Sequence, residues 1–149
     1  MKRIDIILLK SDVFAEIAST TAYTGNKTVA ADRSEFFERV ATAGGDDEIL
    51  SRYWREACAA LADALRCFIS AVTFGRETFS MTLEVSGSYD ETLIPAAEQK
   101  ILSIVATSVT MRWFRIAMPE RAVEYEREMK LLFDSLLANL YYRKKPVKR

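Results

Sequence analysis

Acidic side chains are the residues whose type and spacing come nearest to a metal-binding set. Asp46, Asp47 and Glu48 precede one apolar periodic segment, and Asp90 and Glu91 precede another. Brought together, these carboxylates could bind a divalent cation, which takes several oxygen ligands around one point. The same residues suit the N-terminal ends of two helices. There, acidic side chains cap the free backbone N–H groups and interact with the positive end of the helix dipole. We favour capping over cation binding.

A second carboxylate arrangement is the pair Glu56 and Asp63, which lie seven residues apart on one predicted helix face. Two carboxylates can share acid–base work, although solvated surface charges are the interpretation we favour. The sequence contains no histidine, which removes histidine bases, histidine dyads and histidine metal ligands. It also contains no glycine-rich phosphate loop. We therefore predict a non-enzymatic protein without a cofactor or a bound metal.

The two cysteines, Cys58 and Cys67, lie nine residues apart in what reads as a single helix. Nine residues of helix place them on opposite faces, too far apart to form a disulfide with each other. The same geometry prevents a shared zinc site. We predict two buried, reduced thiols in a reducing compartment.

Positive charge is concentrated in a basic C-terminal tail, residues 143–149. Its five cations are Arg143, Lys144, Lys145, Lys148 and Arg149, preceded by Tyr141 and Tyr142. The chain is formally neutral, so the other 142 residues carry a net charge of −5. The tail could contact phosphates and stack on bases. We favour the interpretation that it is a helix C-terminus with favourable cations, followed by a frayed end. A third interpretation is that the tail docks on the acidic body of another copy.

Apolar periodicity predicts about four to five helices, two or three of them long. The segments run from Ser11 towards Gly25, from Asp32 to Gly44, from Asp46 to Phe68, from Pro95 to Met118, and from Pro119 to the stop at Pro146. The third has an apolar seam spaced by threes and fours: Leu50, Trp54, Ala57, Leu61, Ala64 and Phe68. The fourth carries no charge between Ile101 and Met111, which predicts a central helix.

In residues 77–86, apolar side chains recur at every second position, which is typical of a strand with one buried face. Its apolar side chains are Phe79, Met81, Leu83 and Val85. A strand needs a hydrogen-bonding partner, either residues 3–9 of the same chain or a strand of another copy. In the second case these four residues belong to an interface. The predicted fold is one mainly α domain, residues 1–149: a helical bundle with one β-strand or a small two-stranded sheet.

The apolar runs of the sequence are too short or too interrupted for a membrane span or a signal peptide. The longest uncharged run, residues 101–111, is too short to span a bilayer, and the apolar run after Arg3 is broken by Asp5. We therefore expect neither export nor membrane insertion.

Trp113, between Arg112 and Arg115, is expected to be a core aromatic with two flanking cations, or else an interface anchor.

Four fragments together resemble small uncharacterised prophage proteins of gut anaerobes, found among capsid and tail genes. They are residues 20–25 (TTAYTG), 85–90 (VSGSYD), 112–114 (RWF) and 140–146 (LYYRKKP). Proteins of this kind resemble the head–tail connectors and adaptors of tailed phages, which form rings between portal and tail. The strict strand at 77–86 departs from the simplest helical connectors.

The resemblance implies a virion assembly protein that associates with itself and docks to portal or tail proteins. It implies a location in the cytoplasm of the bacterial host and later in the virion, and no catalytic residues accompany it. A nucleic-acid-binding accessory protein that uses the basic tail is the alternative function.

Overall fold

Four helices and three strands make up the part of the chain that the computed structural model describes, residues 1–23, 46–117 and 119–146. In chain order they are β1 (Lys2–Leu9), α1 (Lys10–Tyr23), α2 (Asp46–Ala64), β2 (Ile69–Phe74), β3 (Thr78–Val85), a 3-10 turn (Glu91–Leu93), α3 (Ile94–Ala117) and α4 (Pro119–Tyr141). The mainly helical prediction is confirmed. The sheet has three strands rather than one or two, and the helices pack on it instead of forming a simple bundle.

The three strands form an antiparallel sheet in the order β1-β3-β2. The alternation predicted for β3 is confirmed, because Phe79, Met81, Leu83 and Val85 are all buried. Residues 3–9, one of the two partners considered for this strand, belong to β1, which pairs with β3 over its whole length. Apolar side chains therefore face each other across the two strands and build the covered face of the sheet. The cross-strand pairs are Ile4–Leu83, Ile6–Met81 and Leu8–Phe79.

Strand β2 was missed by the sequence analysis, which extended the preceding helix to Phe68 and assigned no structure after it. It forms a hairpin with β3 through a tight loop, where the Gly75 N–H donates to the Thr78 carbonyl oxygen at 2.8 Å. A Cβ on Gly75 would lie 2.7 Å from that oxygen, so this close approach requires glycine. The β-forming run Val72–Phe74 before a glycine was the available signal.

Helix α2 confirms the amphipathic pattern but is shorter than predicted. Leu50, Trp54, Ala57 and Leu61 are buried as expected, whereas the exposed Ala64 ends the helix. A turn follows, in which the Phe68 N–H donates to the Leu65 carbonyl at 2.9 Å. Leu65 and Phe68 enter the core from this turn, because the chain must bend there to start β2.

Helix α3 is the central helix, as predicted from its uncharged stretch. Ile101, Val105 and Val109 are fully buried, and α1, α2 and α4 all pack on this helix. α4 begins at Pro119 and buries Ala122, Leu136 and Leu140. Within the described residues, no helix is long and apolar enough to cross a membrane. The helix predicted from Asp32 to Gly44 lies outside them.

Candidate functional site

The predicted interface on β3 is corrected by the structure. Phe79, Met81, Leu83 and Val85 are at most 3% exposed and belong to the core. Strand β3 is also the central strand and has a partner of the same chain on each side. Its backbone is therefore occupied, and pairing with another copy has to use β1 or β2.

Four of the candidate carboxylates, those of Glu56, Asp63, Asp90 and Glu91, are hydrogen-bonded or ion-paired with nearby groups. Glu56 accepts hydrogen bonds from Arg52 (3.0 Å) and Arg112 (3.2 Å), while Asp63 pairs with Arg66 at 2.7 Å. Asp90 caps the 3-10 turn, and the hydrogen bonds from Thr92 lower the pKa of its carboxyl group. Among the described residues, no group of three or more His, Cys, Asp or Glu side chains is placed to hold a metal ion. The side chains of Asp46 and Asp47 lie outside that set.

The two cysteines differ from each other in exposure. Cys58 is buried in α2, and desolvation raises the pKa of its thiol to about 12. Cys67 is exposed in the turn after α2, so the prediction of a second buried thiol was wrong. Both are free. Cys67 lies beside Tyr141 and raises the pKa of its hydroxyl, as a nearby charge and as a hydrogen-bond partner.

The start of the basic tail is fixed to the body. α4 ends at Tyr141, whose ring contacts Phe68 edge to face at 5.0 Å between centroids. Beyond it, the Lys144 N–H donates to the Ser88 carbonyl at 2.7 Å. Tyr142, Arg143, Lys144 and Lys145 are exposed; Lys148 and Arg149 lie outside the described residues. This segment is therefore non-helical backbone on the surface, and α4 ends before the cations that were expected at its C-terminal end.

A groove lies between α2 and α4, with α3 as its floor. The two outer helices both pack on α3 and leave a cavity of about 680 Å³ between them. Its apolar surface comes from Leu61, Ile104, Met129 and Phe133, and three alanines of α2 add a low wall: Ala57, Ala60 and Ala64. Charged side chains stand on the α4 rim: Glu126, Arg127 and Lys130. An apolar floor with a charged rim is the usual anatomy of a protein-binding surface.

Arg112, which lines this groove, contacts the Glu56 carboxylate of α2. Its guanidinium donates to Glu56, while its Nε is buried without a hydrogen-bond partner among the described residues. Trp113 is half-buried and packs against the core, and Arg115 is exposed and donates to the Met111 sulfur at 3.9 Å. Of the three predicted interface residues here, Arg112 is the one that lines the groove.

The two edges of the sheet are the other candidate surface. Within the described residues, β1 and β2 each pair only with β3 and run in the same direction. β2 carries no charged residue and no proline, and its Val72 and Phe74 are 39% and 54% exposed. Natural edge strands usually carry charges or proline that block further pairing. An uncharged edge with half-exposed apolar side chains is thus suited to accept another strand.

Comparisons of the chain with protein-family models, with curated proteins and with solved structures find no match. Functional inference therefore rests on the surfaces of the chain itself. The groove could not be predicted from the sequence, because its lining depends on how α2 and α4 pack on α3. The β2 edge was not predicted because β2 itself was missed.

Proposed function

We propose that the chain is a non-enzymatic virion assembly protein of a tailed phage or prophage. In this proposal it is a head–tail connector or adaptor that associates with itself and docks to portal or tail proteins. The observation that carries the self-association is the pair of sheet edges, above all the uncharged β2 edge. The absence of histidine from the sequence supports a non-enzymatic role, and the resemblance to prophage proteins supports the setting.

The edges suggest how copies would join. β1 and β2 are different surfaces at opposite sides of one sheet, so a contact between β2 of one copy and β1 of the next is heterologous. Repeated with a fixed rotation, such a contact closes into a ring. The contact between copies would be a parallel strand pair, because β1 and β2 run in the same direction. Backbone hydrogen bonds would supply its affinity, as in other strand additions.

Val72 is the position at which this edge can be blocked. Gly75 and Thr78 form a hydrogen-bonded pair, and hydrogen-bonded and non-hydrogen-bonded pairs alternate along an antiparallel ladder. The N–H groups of Val72 and Phe74 therefore point away from β3. Val72→Pro would remove an outward donor and keep the β2–β3 hydrogen bonds.

The test is size-exclusion chromatography with light scattering, over a range of protein and salt concentrations, with electron microscopy of any oligomer. We expect the wild-type chain to form a ring of defined size, and Val72→Pro to shift it towards smaller species. Val72→Thr keeps the N–H and should behave as wild type. If the wild-type chain forms nothing larger than a dimer in any of these conditions, ring assembly through the sheet edges is contradicted.

Nucleic-acid binding through the basic tail is the second candidate function. It is supported by the exposed run of Tyr141, Tyr142 and the three cations that follow. Deletion of residues 143–149 should then abolish binding to DNA, and the binding of the full chain should weaken steeply with salt. Unchanged DNA binding by the truncated chain, measured by fluorescence anisotropy, would rule out the tail as the contact.

A further inference from the structure

One face of α4 borders the groove and has the spacing of a coiled-coil seam. Val123, Glu126, Lys130 and Phe133 follow one another by three, four and three residues, and all four line the groove. Val123 is 56% exposed, Glu126 and Lys130 are exposed, and Phe133 is half-buried. Steps of three and four are the a and d positions of a heptad repeat, which seek a partner helix.

This seam is complementary to its own reverse. Read forwards it is apolar, acidic, basic, apolar, and read backwards it is apolar, basic, acidic, apolar. Two antiparallel copies centred near residue 128 would therefore place Val123 opposite Phe133 and Glu126 opposite Lys130, twice each. A parallel pair would set Glu126 against Glu126 and Lys130 against Lys130, which repel. The charge order thus selects the antiparallel arrangement.

The groove leaves room for this partner helix. Ala57, Ala60 and Ala64 on α2 present only methyl groups to the groove, so a helix can approach their backbone closely. Neither Glu126 nor Lys130 forms an ion pair within the described part of the chain, so both are free to pair across an interface.

We propose that two copies of this chain pair through α4, antiparallel and about a two-fold axis, with each α4 lying in the groove of the other copy. The contact is isologous and closes at two copies. It is therefore distinct from the sheet-edge contact that would build a ring, and it does not depend on the proposed function. Apolar contacts at the two ends of the seam would supply affinity, while the two central charge pairs would fix direction and register.

Charge reversal with rescue tests this pairing. Glu126→Lys places lysine opposite Lys130 of the other copy, and Lys130→Glu places glutamate opposite Glu126. Each single variant creates two like-charge pairs and should weaken dimerisation by about tenfold or more. The double variant restores two opposite pairs and should dimerise as wild type. All these side chains are exposed, so circular dichroism should show an unchanged fold.

Sedimentation equilibrium of the four proteins, each also carrying Val72→Pro so that no sheet-edge ring forms, decides the outcome. A wild-type chain that is monomeric at every concentration would overturn the proposal, and so would single variants that dimerise as wild type does. A double variant that stays monomeric while folded would also overturn it, because charge order would then not specify the pair. Val72→Pro should leave the dimer intact, so loss of rings in that variant and loss of dimers in the α4 variants report on separate contacts.

Discussion

At the scale of single residues, one buried hydrogen bond joins the turn after β3 to the end of α4. The Tyr89 hydroxyl donates to the Asn139 Oδ1 at 2.8 Å, and the Asn139 amide donates to the Leu93 carbonyl at 3.3 Å. Tyr89 is 1% exposed, so its hydroxyl has lost access to water. This pair fixes the position of the turn against the last helix.

Removing the Tyr89 hydroxyl should therefore destabilise the fold. In Tyr89→Phe the Asn139 oxygen stays buried without its donor, which costs about 1–3 kcal/mol in the free energy of unfolding. Urea denaturation followed by circular dichroism measures this cost. Tyr142→Phe removes an exposed hydroxyl and is the matched control, with an expected change within about 0.5 kcal/mol. Equal effects of the two substitutions would show that the Tyr89–Asn139 bond contributes nothing.

At the scale of elements, the sequence predicts those whose apolar pattern is long and regular. The strict alternation of residues 79–85 identified β3, and the uncharged stretch of α3 identified the central helix, because each pattern spans several repeats. β2 has only six residues, of which five are exposed, so it has no buried alternation to detect. Its strand conformation comes from hydrogen bonds to β3, a tertiary contact that sequence periodicity does not encode.

The candidate surfaces divide in the same way. The Arg112–Trp113–Arg115 cluster was identified from its residue types, and one of its members does line the groove. The rest of that groove depends on how α2 and α4 are placed on α3, which residue types alone do not determine. The apolar residues of β3 were named as a possible interface because the partner strand could come from the same chain or from another copy. An alternating strand with a partner on only one side and one with partners on both sides have the same sequence pattern.

At the scale of the whole molecule, three buried groups that can release a proton determine how the stability of the fold responds to alkaline pH. Burial raises the pKa of the Cys58 thiol from 9.0 to about 12, and desolvation also raises the pKa values of the Tyr53 and Tyr89 hydroxyls above 10.0. In each case the unfolded chain releases its proton at a lower pH than the folded chain does. Proton release then favours unfolding as the pH rises.

We accordingly expect the free energy of unfolding to be constant around neutral pH and to fall between about pH 9 and pH 12. Chemical denaturation at a series of pH values under reducing conditions measures this slope. Cys58→Ala removes the group with the lowest unfolded pKa of the three, so the early part of the decline should become shallower. Val109→Ala, a truncation of another buried side chain that removes no titratable group, is the control and should leave the slope as it is. A wild-type slope in Cys58→Ala would contradict the assignment.

The pairing of β1 with β3 has a consequence for how the chain acquires its fold. The residues that face each other across this ladder lie 69 to 83 positions apart in the sequence. During synthesis, the first strand leaves the ribosome long before its partner does, and it carries the apolar side chains of Ile4, Ile6 and Leu8. Closing so long a loop precedes any gain from the ladder, which slows folding and prolongs exposure of that strand. The apolar side chains of the nascent first strand thus stay without their native partners until β3 has been synthesised.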